Sequence, residues 1–268
     1  MASFFKPAKT TSRKSALVCN LKRKAAGGSL SFSTPKKVKA ERKSAMTLNY
    51  EYTMGIFKKF TPGLGHDGDG LYGTLTNNSL RRLIEHLHVD GKTLIDIGAA
   101  DGKVMLAGLA LGAQAVYGIE LAGDSLEVKF DAMIRQLRNG YLGLDAHAAL
   151  KCNTDITKMN VGTISEILSE CFSETYRIIP GRHIAVCAVW HGFNIEAKQS
   201  LLTILARSQH VQRFALVGPV TKDYGRPADV VEFMKESNPR CNIALETTES
   251  VTLSGGGEHY QAVIYHIS

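Results

Sequence analysis

Two spacings of apolar residues alternate along this chain. Leu80, Leu83, Ile84 and Leu87 recur at three- and four-residue intervals, the spacing of one helix face, with Asn78 or Ser79 as the candidate cap. Short continuous apolar runs then appear at Thr93–Ile97, Ala115–Ile119, Ile184–Val189 and Arg213–Val217, with a weaker one at Ala148–Asn153. Runs of this kind read as strands buried on both faces. Helical periodicity separates them. It covers Gly102–Leu111, Asp124–Arg138, Val161–Cys171, Ile195–Arg207 behind Asn194, and Ala228–Glu236 after Pro227. The chain closes with Asn242–Leu253 and His259–His266 around Gly255-Gly256-Gly257, which reads as a β-hairpin. The order predicts an α/β fold: a doubly wound, mostly parallel seven-stranded sheet ending in an antiparallel hairpin.

The start of the chain is different. Of the 32 Lys and Arg side chains, 12 fall within residues 1–45, against a single acid, Glu41. The tail therefore carries a net +11 and the remainder −4, although the whole chain is +7. Rich in Ser and Lys and poor in apolar residues, residues 1–45 read as a disordered basic tail. Lys22-Arg23-Lys24 and Pro35-Lys36-Lys37-Val38-Lys39 suit a nuclear address or phosphate contacts. A merely solvated tail and an organelle transit peptide are the rival readings; Lys in excess of Arg favours the nucleus. Residues 46–92 form a second section. It holds an aromatic, mixed stretch, a glycine-rich segment at 61–70 that reads as a loop and candidate lid, and the first helix. Residues 93–268 are the core. The five cysteines lack a C-x-x-C pair and no H-E-x-x-H occurs, so no metal is expected. No run is long enough to span a bilayer, and a monomer is expected.

Candidate chemistry concentrates at Thr93-Leu94-Ile95-Asp96-Ile97-Gly98-Ala99-Ala100-Asp101-Gly102-Lys103. A strand ends in an acid, a turn of small residues follows, and a helix begins near Gly102. That is the mouth of a nucleotide-type pocket. Small residues alternate at Gly98, Ala100 and Gly102, unlike the dinucleotide G-x-G-x-x-G. Gly98 and Ala100 allow close approach of the backbone to a ligand, and Gly102 allows the helix to pack on the strand. The region resembles the class I S-adenosylmethionine-dependent methyltransferases, whose cofactor has an amino group for Asp96 to take and no phosphate to cradle. A second strand ends at Glu120, 22 positions after Gly98, where a carboxylate suits the ribose diol.

A particular branch is also suggested. Leu71-Tyr72-Gly73-Thr74-Leu75 resembles the tyrosine-glycine loop of the histone lysine methyltransferases named for disruption of telomeric silencing, which use the class I fold in place of the SET fold. Ser250-Val251-Thr252-Leu253-Ser254, three glycines and Tyr260 resemble that family's last segment. The resemblance implies S-adenosylmethionine as cofactor and the nucleosome as partner, histone H3 as substrate and DNA through the basic tail. It places Tyr72 over the methionine part, Asp96 and Gly98 beneath it, Glu120 at the ribose, and Asp155 and Ile156 at the adenine. His191 or Asn194, with Phe193 and Tyr260, would line the acceptor channel. The sequence departs from the family at Thr74, where the family has Glu, and at Leu253, where it has Trp. It departs again at Val189-Trp190-His191-Gly192-Phe193-Asn194, where the family has Asn-Asn-Phe.

The chemistry needs no dedicated base. An acceptor lysine must lose its proton, at a cost of roughly 4–5 kcal/mol at pH 7. A narrow aromatic channel ending at a cationic sulfonium lowers that cost by opposing a second charge. Tyr72, Phe193 and Tyr260 would suffice for this. The Asn/Asp-Pro-Pro-Tyr/Phe element of adenine-amine methyltransferases is missing at residues 190–193, which leaves other RNA acceptors as the alternative substrate. A catalytically silent chromatin or nucleic-acid binding module is the reading of a different class; Asp96, Gly98 and Glu120 argue against it, since a dead site has no need of them.

Overall fold

The computed structural model describes residues 49–61, 74–140, 147–171, 184–219, 223–253 and 260–268. The basic tail, most of the glycine-rich segment, Tyr72 and the glycine turn at 255–257 lie outside the described residues.

The elements follow the sequence pattern closely. Residues 49–60 are helical (α1), followed by α2 (Asn77–Leu87), β1 (Thr93–Ile97), α3 (Lys103–Ala110), β2 (Ala115–Ile119) and α4 (Ser125–Gly140). Next come β3 (His147–Lys151), a 3₁₀ turn at Ile156–Lys158, α5 (Val161–Cys171), β4 (Ile184–Val189) and α6 (Ile195–Arg207). The chain ends with β5 (Val211–Pro219), α7 (Pro227–Ser237), β6 (Ile243–Val251) and β7 (Tyr260–Ile267). The seven strands form one sheet in the order β3-β2-β1-β4-β5-β7-β6. The first five are parallel; β7 runs antiparallel to β5 and to β6.

Strand alternation splits the core in two. Leu94, Val116, Ala185, Cys187 and Ala215 face α1–α4, whereas Ile95, Tyr117, Val186, Phe214 and Leu216 face α6 and α7. Both faces are covered, which is why β1, β2 and β4 read as unbroken apolar runs. Reversal of strand order on either side of β1 opens a crevice above its carboxyl end, the usual binding position in such sheets.

Several boundaries shift by one or two residues, β5 running over Val211–Pro219 where Arg213–Val217 is expected, and two of the differences have a clear physical cause. The cap of α2 is Thr76, whose side chain accepts from the Ser79 amide, and not Asn78 or Ser79. Ser79 instead holds the end of β6. Its hydroxyl accepts from the Thr252 amide at 3.0 Å, while the Thr76 amide donates to the Thr252 carbonyl at 2.8 Å. These bonds tie α2 to the chain just beyond β6, and only the tertiary fold creates them. β3 stops short of Asn153, which takes a left-handed φ of 53° that cannot continue a strand. Among the described residues no His, Cys, Asp or Glu group is arranged to hold a metal, and no helix is long and apolar enough to cross a membrane.

Candidate active site

The turn between β1 and α3 explains its own sequence. Gly98, Ala100 and Gly102 all have left-handed backbones, with φ of 75°, 44° and 78°. Alternating small residues are therefore a backbone requirement, since a side chain beyond alanine is disfavoured at positive φ. Space adds to this. A Cβ on Gly102 would stand 2.4 Å from the Phe130 ring, and one on Gly98 would stand 3.0 Å from Phe193. Gly102 thus lets α3 settle against α4, and Gly98 leaves room for an aromatic ring.

Hydrogen bonds fasten this turn to β2. Gly98 and Ala99 donate to the Ile119 carbonyl at 2.8 and 3.0 Å. The Glu120 carboxylate accepts from Ala100 at 2.6 Å through one oxygen, and from Leu121 and Ala122 at 2.8 and 3.0 Å through the other. Expected as a ribose ligand, Glu120 stands in the cavity wall and also braces three backbone amides. A carboxylate has about four acceptor positions, so one remains open to a ligand.

Asp96 lies deeper. It shares the α1–α4 face with Leu94, is 1% exposed, and neither of its side-chain oxygens has a hydrogen-bond partner among the described residues. Burial, and secondarily the Glu120 charge, pushes its carboxyl up to about 8. Burial and the Asp96 charge together push the thiol of Cys187, its neighbour across β4, upward. A buried carboxyl with no donor is costly unless something cationic joins it.

Above the strand ends lies a cavity of about 320 Å³. Gly98, Glu120, Asp155, Ile156, Phe193 and Asn194 line it, as do Leu121 and Thr154, which the sequence pattern did not single out. Asp155 tops the 3₁₀ turn: one oxygen accepts from the Thr157 amide at 3.0 Å and from its hydroxyl at 2.8 Å. Those bonds hold its carboxyl below the ordinary range. Asn194, expected in an acceptor channel, caps α6 by accepting from the Ala197 amide at 2.8 Å. His191, just after β4, and Tyr260, the first residue of β7, form a separate pair outside this lining, edge to face at 5.2 Å, with β5 between their strands in the sheet. Trp190 turns the other way, into the α6–α7 core, with the Lys198 ammonium 5.4 Å from its ring. A wider depression of about 750 Å³ lies over α7 and Leu245, on the flank of the sheet and away from these strand ends.

A further side chain belongs to this neighbourhood. Lys103, the first residue of α3, donates to the Leu75 carbonyl at 2.5 Å and lies 5.7 Å over the Phe57 ring. Its place directly after Gly102 was the only sign in the sequence. Lys129 takes Asp101, locking the middle of the turn to α4.

No protein-family model and no curated protein matches the chain. Solved structures do. A provisionally named RNA methyltransferase from Pyrococcus horikoshii superposes with a TM-score of 0.50 at 14% identity, over 82% of this chain and 98% of that one. A TehB-like SAM-dependent methyltransferase from Corynebacterium glutamicum gives 0.47 at 11% identity, over 83% and 100%. Magnesium protoporphyrin IX methyltransferase from Synechocystis, with bound SAM, gives 0.47 at 12% identity, over 84% and 97%. Together with the strand order and the reversed β7, the first of these likenesses identifies the architecture: this chain has the Rossmann-like fold of the class I methyltransferases.

Proposed function

We propose that this protein binds S-adenosylmethionine and transfers its methyl group to the side-chain amine of a lysine on nucleosomal histone H3. The observation that carries the cofactor half is Asp96, buried without a donor beneath a turn of three left-handed residues, the first of which, Gly98, lines the cavity. Bound S-adenosylmethionine supplies an activated methyl group on a sulfonium. The residues present fit it. Asp96 would give up its proton and pair as a carboxylate with the cofactor's ammonium, the open position on Glu120 suits a ribose hydroxyl, and Asp155 with Ile156 and Leu121 would border the adenine.

The acceptor half rests on side-chain chemistry. Phe193 against Gly98 gives the cavity an aromatic wall, and the His191–Tyr260 pair gives a second aromatic surface outside its carboxylate-bearing lining. Such surroundings favour a neutral amine over an ammonium, and alignment does the rest of the work in an in-line displacement. The tail of net +11 would hold nucleosomal DNA through its phosphates, in the nucleus. RNA is the second reading: the same tail would serve it, and the Pyrococcus horikoshii protein is named for RNA.

The test is methyl transfer from labelled S-adenosylmethionine to nucleosomes, free histones and total RNA side by side. Label on histone H3 lysine, strongest with nucleosomes, is the expected result. Label in RNA alone would overturn the acceptor and keep the cofactor. Removing residues 1–45 should weaken nucleosome binding and flatten its dependence on salt, with cofactor affinity unchanged; an unaltered salt slope would reduce the tail to an address signal.

A further inference from the structure

We propose that this protein methylates itself: Pro35-Lys36-Lys37-Val38-Lys39 of the basic tail docks at the mouth of the cavity, and one of its lysines takes the methyl group in cis. The inference rests on the cofactor reading above and names a further substrate for the same site.

Charge is the first support. Glu120, Asp155 and Glu196 stand in the cavity lining, and no Lys, Arg or His of the described residues does. Lys158 stands 3.6 Å from Asp155, but outside the lining and with its side chain 83% exposed. The cofactor reading engages Glu120 at the ribose and Asp155 at the adenine, which leaves Glu196. Among the described residues Glu196 has neither a hydrogen bond nor an ion pair. A carboxylate in the first turn of α6 answers the helix dipole, yet that role does not require a place in the lining. The tail carries +11 against −4 for the rest of the chain, so the cations that suit this mouth are already tethered to it.

The second support is the apolar surface beside that charge. Leu121, in the lining, is 68% exposed, and Ile195, between the lining residues Asn194 and Glu196, is 46% exposed. Lysines around Val38 match both features, since a lysine covers apolar surface with its stem while its ammonium reaches a carboxylate.

Reach is the third. Lys39 lies ten residues before Asn49, the first described residue, and Lys36 thirteen. Those lengths extend to about 33–47 Å, against a radius of gyration of about 17 Å for a compact domain of this size. The segment can therefore meet the mouth from any starting point on the surface, at an effective concentration on the order of millimolar.

In the step itself, Glu196 holds one lysine as an ammonium. A neighbouring lysine, against Phe193, gives its proton to water. Its nitrogen lone pair then bonds to the methyl carbon as the carbon–sulfur bond breaks, and that electron pair stays on sulfur as a neutral thioether.

The test incubates the full chain, with no other substrate, with saturating methyl-labelled S-adenosylmethionine and locates the label by mass spectrometry. Label is expected on Lys36, Lys37 or Lys39, at a first-order rate unchanged by about 100-fold dilution of the protein. Replacing all three by arginine keeps the charge and should abolish it. Glu196→Lys should slow the reaction by about tenfold, through a lost attraction and a new repulsion, and Glu196→Gln by about threefold. A chain that binds S-adenosylmethionine in calorimetry yet leaves these lysines unlabelled overturns the proposal and spares the cofactor reading. A rate that falls with dilution would make the transfer intermolecular and overturn docking in cis. Wild-type rates in both Glu196 variants would overturn the mouth. Failure to bind S-adenosylmethionine at all would instead remove the cofactor reading itself.

Discussion

The β1–α3 turn and the His191–Tyr260 pair both lie at the carboxyl end of the parallel strands, yet they are specified differently. At the turn, identity follows from the backbone. Three left-handed residues and a ring 3.0 Å from where a Gly98 Cβ would stand leave almost no choice of side chain. At the other site, identity follows from partners. His191 and Tyr260 come from distant parts of the chain and meet only when β7 inserts beside β5. A backbone requirement leaves a mark at fixed spacing. A contact between side chains leaves none, and evolution can rebuild it with other residues. This is why the first region keeps a recognisable motif, while the second departs from the Asn-Asn-Phe and Pro-Pro patterns of the methyltransferases it was compared with.

The comparison can be broken most forcefully at Gly98. Gly98→Arg places a long side chain at positive φ and into the cavity, and should abolish S-adenosylmethionine binding in calorimetry while circular dichroism remains native. Retained affinity would show that the cavity is not the cofactor site.

Asp96 comes next. The folded protein keeps its proton until pH about 8, whereas in an unfolded chain an aspartate loses it near about 4. Between those values the folded state binds more protons, so stability falls as pH rises. Asparagine does not titrate. The stability of Asp96→Asn relative to wild type should therefore rise by about 1.4 kcal/mol per pH unit across that window and level off on either side. Denaturant titrations at a series of pH values measure this; a constant difference would mean that the carboxyl is charged in the empty protein.

Glu120→Gln should cost about 1–3 kcal/mol in the same titrations, because an amide nitrogen would face at least one backbone donor where an oxygen now accepts. No loss of stability would mean that its ligand role outweighs its bracing role. The smallest effect sharpens the contrast. His191→Ala should lower turnover by about tenfold, the result of a misaligned acceptor, and leave cofactor affinity unchanged. An equal loss in cofactor affinity would merge the two regions into one.

Much of this architecture is legible in the sequence. The strands, the helices and the terminal hairpin follow from apolar spacing, because a sheet covered on both sides must be built from unbroken apolar runs. The helix caps divide. Asn194 caps α6 through a local bond to Ala197, readable from neighbouring residues. Thr76 displaces Asn78 and Ser79 because Ser79 answers Thr252, far away in the chain.

The site divides in the same way. Sequence by itself determined the fold class, the strand–turn–helix at Asp96 to Gly102 and the acid at Glu120, since each depends on residues that are neighbours or stand at a fixed spacing along the chain. Tertiary structure alone decided that Asp96 is buried without a donor, that Glu120 braces three amides, that Trp190 turns away from His191, and that Lys103 stands on the face of Asp96. Those depend on which elements cover which side of the sheet, and burial and electrostatics belong to the assembled layers, not to the order of residues within any one of them.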